Sequence, residues 1–196
     1  VTRGVAPRDH AFPGPRVAPT VFAYAQPLKY SAAADVAAGV AAVTVPDIRW
    51  SQCNIKAITL LPNVLMRQEA IDCGAVEAIL LRDGLMTEGA ASNIFIVRNG
   101  VLVTPPKGPF ILPGITRDLV LELARAHRVP CAEEPVSETD LRTAEEVWMT
   151  SSMREILSIT RLDGRSVGTG RPGAVHARVF ALYKDYKQAF CAGRVD

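Results

Sequence analysis

Lys56 stands in the run Asn54-Ile55-Lys56-Ala57-Ile58-Thr59-Leu60-Leu61, just ahead of a stretch with apolar residues at helical spacing. Most lysines are solvated surface charges. A lysine held in an apolar pocket is different: its ammonium form is disfavoured, its pKa falls, and a neutral amine becomes available for Schiff-base chemistry. Glu88 lies in Thr87-Glu88-Gly89-Ala90-Ala91-Ser92-Asn93, a small-residue loop leading into a strand. Alone it reads as a solvated loop carboxylate. Beside a pyridine-type nitrogen it would keep that nitrogen protonated and let the ring act as an electron sink, and Ala90 and Ala91 leave room for a flat ring.

Two further segments have the chemistry of an anion cup. Gly114-Ile115-Thr116-Arg117-Asp118 is a turn feeding a helix N-terminus, where free backbone N–H groups and the helix dipole favour negative charge. Thr150-Ser151-Ser152, straight after Val147-Trp148-Met149, offers hydroxyls and amides in a second loop that can close on the same phosphate. Either motif alone is an ordinary turn. Arg8 and His10, two apart in Pro7-Arg8-Asp9-His10, project to one face of an extended segment, a pair of donors suited to a substrate carboxylate or simply to a solvated edge.

The elements that must position these residues follow from periodicity and turn residues. Between Ala11 and Tyr30 the prolines Pro13, Pro15, Pro19 and Pro27 suit an extended connector, and a domain boundary is expected near Tyr30, dividing residues 1–30 from 31–196. Gly39 to Val45 reads as a strand, and Ile58 to Cys73 as a helix stopped by Gly74. Ala75 to Leu81, Asn93 to Val97 and Val101 to Thr104 read as strands, the last two joined by the hairpin signal Asn99-Gly100. Then come a helix from about Thr116 to His127, a strand from Cys131 to Val136, a short helix from Ser137 to Thr143, strands at Glu146 to Thr150 and Ile156 to Leu162, and a final amphipathic helix from about Ala174 to Phe190. The order implies a mixed α/β or α+β domain with antiparallel strands rather than a βαβ Rossmann array.

Composition narrows the partners. The 196 residues are 48% hydrophobic and 21% charged, ordinary soluble usage, and no apolar run approaches the roughly 18 residues of a membrane span. The net charge of +2 is spread along the chain, without the basic face that nucleic acid requires. Cys53, Cys73, Cys131 and Cys191 form no CxxC pair and sit among few histidines, so no metal site is expected, and reduced thiols in a cytoplasm fit best.

In chain order, Val1-Thr2-Arg3-Gly4-Val5-Ala6-Pro7-Arg8-Asp9-His10, Ile55-Lys56, Thr87-Glu88-Gly89 with Ser92-Asn93, Gly114-Ile115-Thr116-Arg117 and Thr150-Ser151-Ser152 resemble the class IV (fold-type IV) pyridoxal-phosphate aminotransferases. The Arg-x-His pair resembles the D-amino-acid branch of that family. The resemblance implies an α+β large domain preceded by the last strand of a smaller N-terminal domain. It implies that Lys56 holds pyridoxal 5′-phosphate as a Schiff base and moves the substrate α-proton, and that Glu88 faces the pyridine nitrogen. Ile115, Thr116, Ser151 and Ser152 would hold the phosphate, with Arg8 and His10 on the substrate carboxylate. The reaction implied is ping-pong amino transfer from a D-amino acid to a 2-oxo acid, in a homodimer. Branched-chain and (R)-amine aminotransferases and aminodeoxychorismate lyases share the motifs. A non-catalytic module binding a phosphate or a protein through the Gly114 and Ser151 loops would have no use for Lys56.

Overall fold

The computed structural model describes residues 1–28 and 31–194. The expected boundary at Tyr30 lies outside the described residues. Residues 1–28 form no helix or strand. The expected last strand of a smaller domain is not formed among these residues; the Thr2 N–H donates instead to the Thr20 carbonyl at 2.9 Å.

Among the described residues from 31 to 194 the chain forms one mixed sheet with five helices. The strands are β1 (Val40–Pro46), β2 (Glu77–Arg82), β3 (Leu85–Gly89), β4 (Asn93–Arg98), β5 (Val101–Thr104), β6 (Cys131–Glu133), β7 (Val136–Ser137), β8 (Glu146–Ser151), β9 (Glu155–Leu162) and β10 (Arg165–Ser166). The helices are α1 (Ala33–Ala38), α2 (Leu61–Asp72), α3 (Ile115–Ala126), α4 (Glu138–Thr143) and α5 (Ala174–Cys191). The sheet order is β6-β5-β4-β8-β9-β1-β2-β3-β7, with β10 beside β9. Among the described residues, parallel pairing is confined to β1 with β2, β1 with β9 and β5 with β6.

The expected single strand from Cys131 to Val136 is a correction. Pro135 has no N–H to give to a ladder, and the segment divides there: β6 pairs with β5, β7 with β3. These two strands end opposite edges of the sheet, yet only Glu134 and Pro135 separate them. So short a link spans roughly 10 Å, and the sheet must curl until its edges approach.

Alternation then sorts the side chains. Ile94, Ile96, Val147, Met149, Leu157 and Ile159 fill the interior of the curl, which Leu141 of α4 helps close. Phe95, Val97, Trp148 and Ile156 point outward beneath α3 and α5, and Ala78 and Leu80 beneath α2. Turns follow local chemistry. Asn99-Gly100 forms the expected hairpin with both residues at positive φ (53° and 72°). Asp83-Gly84 (52° and 76°) and Asp163-Gly164 (48° and 75°) do the same, and the first creates β3, a strand absent from the sequence reading. The short helix α4 carries a capping box between Ser137 and Asp140.

Helix α5 is tied down from outside itself. Glu146 accepts the N–H groups of Val175 and His176 at 3.0 and 2.9 Å, and the Trp148 indole N–H at 2.9 Å. Gly173 makes room for this, since a Cβ there would lie 2.0 Å from the Glu146 carboxylate. His176 is buried between Trp148 and Phe180, at ring distances of 5.4 and 5.6 Å, with Nε2 unpartnered. Burial lowers its pKa to about 4. Because the folded value lies below the ordinary one near 6.5, the neutral ring's contribution to stability is complete above pH 6.5. It is lost as pH falls toward 4, at about 1.4 kcal/mol per unit. Urea unfolding followed across this window should show that slope, and His176→Phe should flatten it; an equal slope in both proteins would remove His176 as its cause.

Candidate functional site

The segment that leaves β1 turns back across the end of β3, and a buried ionic cluster joins the two. Asp47 and Arg49 alternate across Ile48, which sends both side chains to one side, toward Glu88. Asp47 is bound by the Arg49 backbone N–H at 3.1 Å, by Arg49 Nε and a terminal guanidinium nitrogen at 2.9 Å each, and by the Thr87 hydroxyl at 3.0 Å. Arg82 approaches it at 3.2 Å. The other terminal nitrogen of Arg49 donates to Glu88. Burial would raise the Asp47 pKa, but the bonds and charge of Arg49 hold it at about 2. Burial opposes the guanidinium charge of Arg49 as well, and Asp47 and Glu88 outweigh that and raise its pKa.

Glu88 lies on β3, not in a loop, and is 5% exposed. Besides Arg49, its carboxylate accepts the Asn93 side-chain amide at 3.0 Å and the Leu112 N–H at 3.1 and 3.2 Å. Burial raises its pKa to about 7 even against the pull of Arg49. A carboxylate offers about four lone-pair positions; the three donors here, with the Leu112 N–H shared between both oxygens, leave room for one further N–H.

Asn93 connects this carboxylate to both phosphate-type segments. Its amide also donates to the Leu112 carbonyl at 2.9 Å. As the first residue of β4 it sits directly opposite Thr150 of β8. Gly114 precedes α3 with no side-chain cap; a Cβ at Gly114 would lie 2.2 Å from Asn93 Oδ1. The helix N-terminus is therefore laid against Asn93 by the missing side chain. Thr116 is buried, whereas Ile115 is 82% exposed. Thr150 Oγ1 is buried without a partner. Ser151 Oγ accepts the Arg154 N–H at 3.1 Å and keeps its own proton to give, and Ser152 is exposed. A second tie, the Ser92 hydroxyl donating to buried Glu77 at 2.8 Å, holds the turn after Glu88. Gly89 is needed there, because a Cβ would lie 2.3 Å from Ser92 Oγ.

The structure thus brings Glu88, Gly114 and Thr150 to Asn93, with Thr116 and Ser151 two residues and one residue further along their segments. It does not gather Lys56, Arg8 or His10. Lys56 is exposed on the segment before α2, and its apolar neighbours Ile55 and Ile58 are exposed too, so the chain alone provides no apolar pocket for its amine. Arg8 and His10 are exposed on a stretch that is not a strand. No hydrogen bond among the described residues joins any of the three to Glu88. Arg49 and Asp47, absent from the sequence reading, had a signal in their one-residue spacing after a strand; Asn93 had none beyond its place in a motif.

The donor set fits a planar phosphorylated cofactor: one open acceptor position on a buried carboxylate, an uncapped helix N-terminus, an orphaned buried hydroxyl and a cradle that a Cβ would fill. Among the described residues no cluster of His, Cys, Asp or Glu is placed to hold a metal ion, and no helix is long and apolar enough to cross a membrane.

Residues 1–162 match the family model described as amino-transferase class IV. A D-alanine aminotransferase of Bacillus licheniformis is 41% identical over 179 residues, 91% of this chain and 62% of that protein, so the chain spans somewhat less than two thirds of this relative. Among solved structures, the branched-chain aminotransferase of Thermoproteus uzoniensis with norvaline superposes with a TM-score of 0.72 at 31% identity, covering 82% of this chain and 54% of that one. A Brucella abortus aminotransferase bound to the co-factor PLP gives 0.67 at 30% identity, over 76% and 54%.

The Gly114–Asn93 contact is open to direct test. Gly114→Ala should destabilise the chain by about 1–3 kcal/mol, while Gly108→Ala, where a Cβ meets nothing within 4 Å, should stay within about 0.5 kcal/mol. Equal denaturant midpoints for the two variants would show that the helix N-terminus does not depend on this close approach.

Proposed function

The chain belongs to the class IV aminotransferases, and proceeding from that we propose that it serves a transaminase carrying the amino group of a D-amino acid to a 2-oxo acid, with pyridoxal phosphate as cofactor. The observation that carries this reading is the buried carboxylate of Glu88, held by Arg49, Asn93 and Leu112 with one acceptor position to spare. When bound, pyridoxal phosphate supplies an electron sink conjugated to the substrate nitrogen, which makes the α-hydrogen acidic.

The residues of this chain divide the remaining work. Glu88 accepts the ring N–H and keeps its proton in place. The amides of Ile115 and Thr116, with the hydroxyls of Thr116, Ser151 and Ser152, hold the phosphate at the N-terminus of α3. Lys56 Nζ would hold the cofactor at rest and, once displaced from it by the substrate amine, would move the proton between the substrate α-carbon and the cofactor C4′. Arg8 and His10 hold the α-carboxylate. Fixing the carboxylate on one side decides which enantiomer turns its α-hydrogen toward Lys56, so D-preference resides in that pair. Residues 31–196 form the cofactor domain in this reading, and residues 1–30 the end of a smaller N-terminal domain and the linker bringing Arg8 and His10 to it.

The exposure of Lys56 fits a homodimer. Ile58 is 94% exposed, and Ile55, Leu60, Leu61, Val64 and Leu65 around it are each more than half exposed, a contiguous apolar surface of the kind that marks an interface. Covering it would desolvate the lysine. Four free thiols suit a reducing cytoplasm.

The solved branched-chain aminotransferase with norvaline gives a second reading, a branched-chain amino-acid specificity; the Arg8-x-His10 spacing favours the first. Absorption spectra of the chain with pyridoxal phosphate separate them. A visible band lost in Lys56→Ala, and bleached by D-alanine but not by L-leucine, is the expected result. Bleaching by L-leucine alone would select the second reading, and a band equally strong in Lys56→Ala would remove Lys56 from its role.

A further inference from the structure

Arg49 is the most fully engaged side chain around Glu88, and no step of the proposed reaction uses it. Its guanidinium reaches both Asp47 oxygens at 2.9 Å, Glu88, the Phe110 carbonyl at 3.0 Å and the Thr87 hydroxyl at 3.3 Å. Asp47, whose side chain is wholly buried, has no accepting position left once Arg49, Arg82 and Thr87 are counted. Two carboxylates and two guanidiniums thus balance in charge, and the cluster's open acceptor position falls on Glu88.

We infer that Arg49, oriented by Asp47, is a positioning residue of the site: it fixes the direction and the ionised state of the Glu88 carboxylate and ties the segment bearing Lys56 to the strand bearing Glu88. The inference rests on the proposed role of Glu88 as partner of the ring nitrogen. A planar fork is needed, because one group must serve two carboxylates at fixed angles. The tie is reinforced four residues after Arg49, in the same connection's course toward α2: the Cys53 N–H donates to the Pro109 carbonyl at 2.6 Å, and its thiol to the Trp50 carbonyl at 3.1 Å. Between these anchors and α2, Lys56 has a short tether whose origin is set by Arg49. A pair kept only for stability would be a poor choice, since buried ion pairs seldom outdo apolar side chains of equal volume.

Two readouts test this apart from turnover. In the cofactor-free chain, the Glu88 carboxylate band is identified by infrared difference against Glu88→Gln and titrated. In the chain loaded with pyridoxal phosphate, the pH dependence of the visible band is followed. Arg49→Met should make Glu88 harder to ionise by on the order of tenfold or more and displace the visible titration in the alkaline direction. Arg49→Lys keeps the charge but cannot serve Asp47 and Glu88 together, and should shift both readouts severalfold the same way. Should Arg49→Met fail to fold, Arg49→Lys decides alone. Wild-type titrations in whichever variants fold, even with a lowered melting temperature, would overturn the inference and leave Arg49 a structural group. Failure of the wild-type chain to bind pyridoxal phosphate would sink the proposed function instead, while the cofactor-free infrared titration would still decide what Arg49 does to Glu88.

Discussion

The contact between Arg49 and Glu88 is the constraint around which the rest of the site is arranged. Burying a carboxylate costs several kcal/mol unless charge and hydrogen bonds answer it, and here the answer comes from one direction. Asp47 sets the plane of the guanidinium, the guanidinium sets Glu88, and Glu88 takes Asn93 and the Leu112 amide. Through Asn93 the order passes to Gly114 at the head of α3 and to the Thr150 end of β8. A polar network in a low-dielectric interior is stiff when complete, and each residue of this one is held by two or more others.

The curled sheet makes the network possible. Strands β1, β3 and β8 are far apart in sequence, with β4 following β3 after three residues, and the curl of the sheet brings their ends to one rim. Its interior is apolar and its outward faces are covered by α2, α3 and α5. The polar cluster is therefore displaced to the ends of strands, where backbone groups of the Pro109 to Leu112 segment are free to join it. The same displacement leaves the connection from β1 to α2 on the surface with its apolar side chains uncovered.

Much of this was legible in the sequence. Strand alternation and helical spacing placed nearly every element, because Phe95 and Ile96, or Val147 and Trp148, must part to opposite faces wherever the strand lies. The Gly114 turn and the Asn99-Gly100 hairpin were legible from backbone chemistry alone. Strand β3 was not, although Asp83-Gly84 has the same turn chemistry, because Thr87-Glu88-Gly89 lacks the β-branched apolar residues that mark a strand. The division at Pro135 was missed because the partners that pull Cys131 and Val136 apart are set by tertiary pairing. Among site residues, Glu88 and the phosphate-type loops stood out through their small neighbours. Asp47, Arg49 and Asn93 did not, since a paired buried charge has the same letters as a solvated one.

Strand β1 occupies the middle of the sheet, parallel to both of its neighbours, and one of those neighbours arrives very late. The Thr44 N–H reaches Asp163, 119 residues away, at 2.7 Å, beside the pairing of Val40 with Ile159. Non-local parallel pairing of this kind is slow to form, and during synthesis the N-terminal quarter of the chain must wait for β9 to emerge before its central strand has both sides covered. Arg49 and Lys56 follow directly from that strand. The cluster of Arg49, Asp47 and Glu88 is thus among the last parts of the molecule to be assembled.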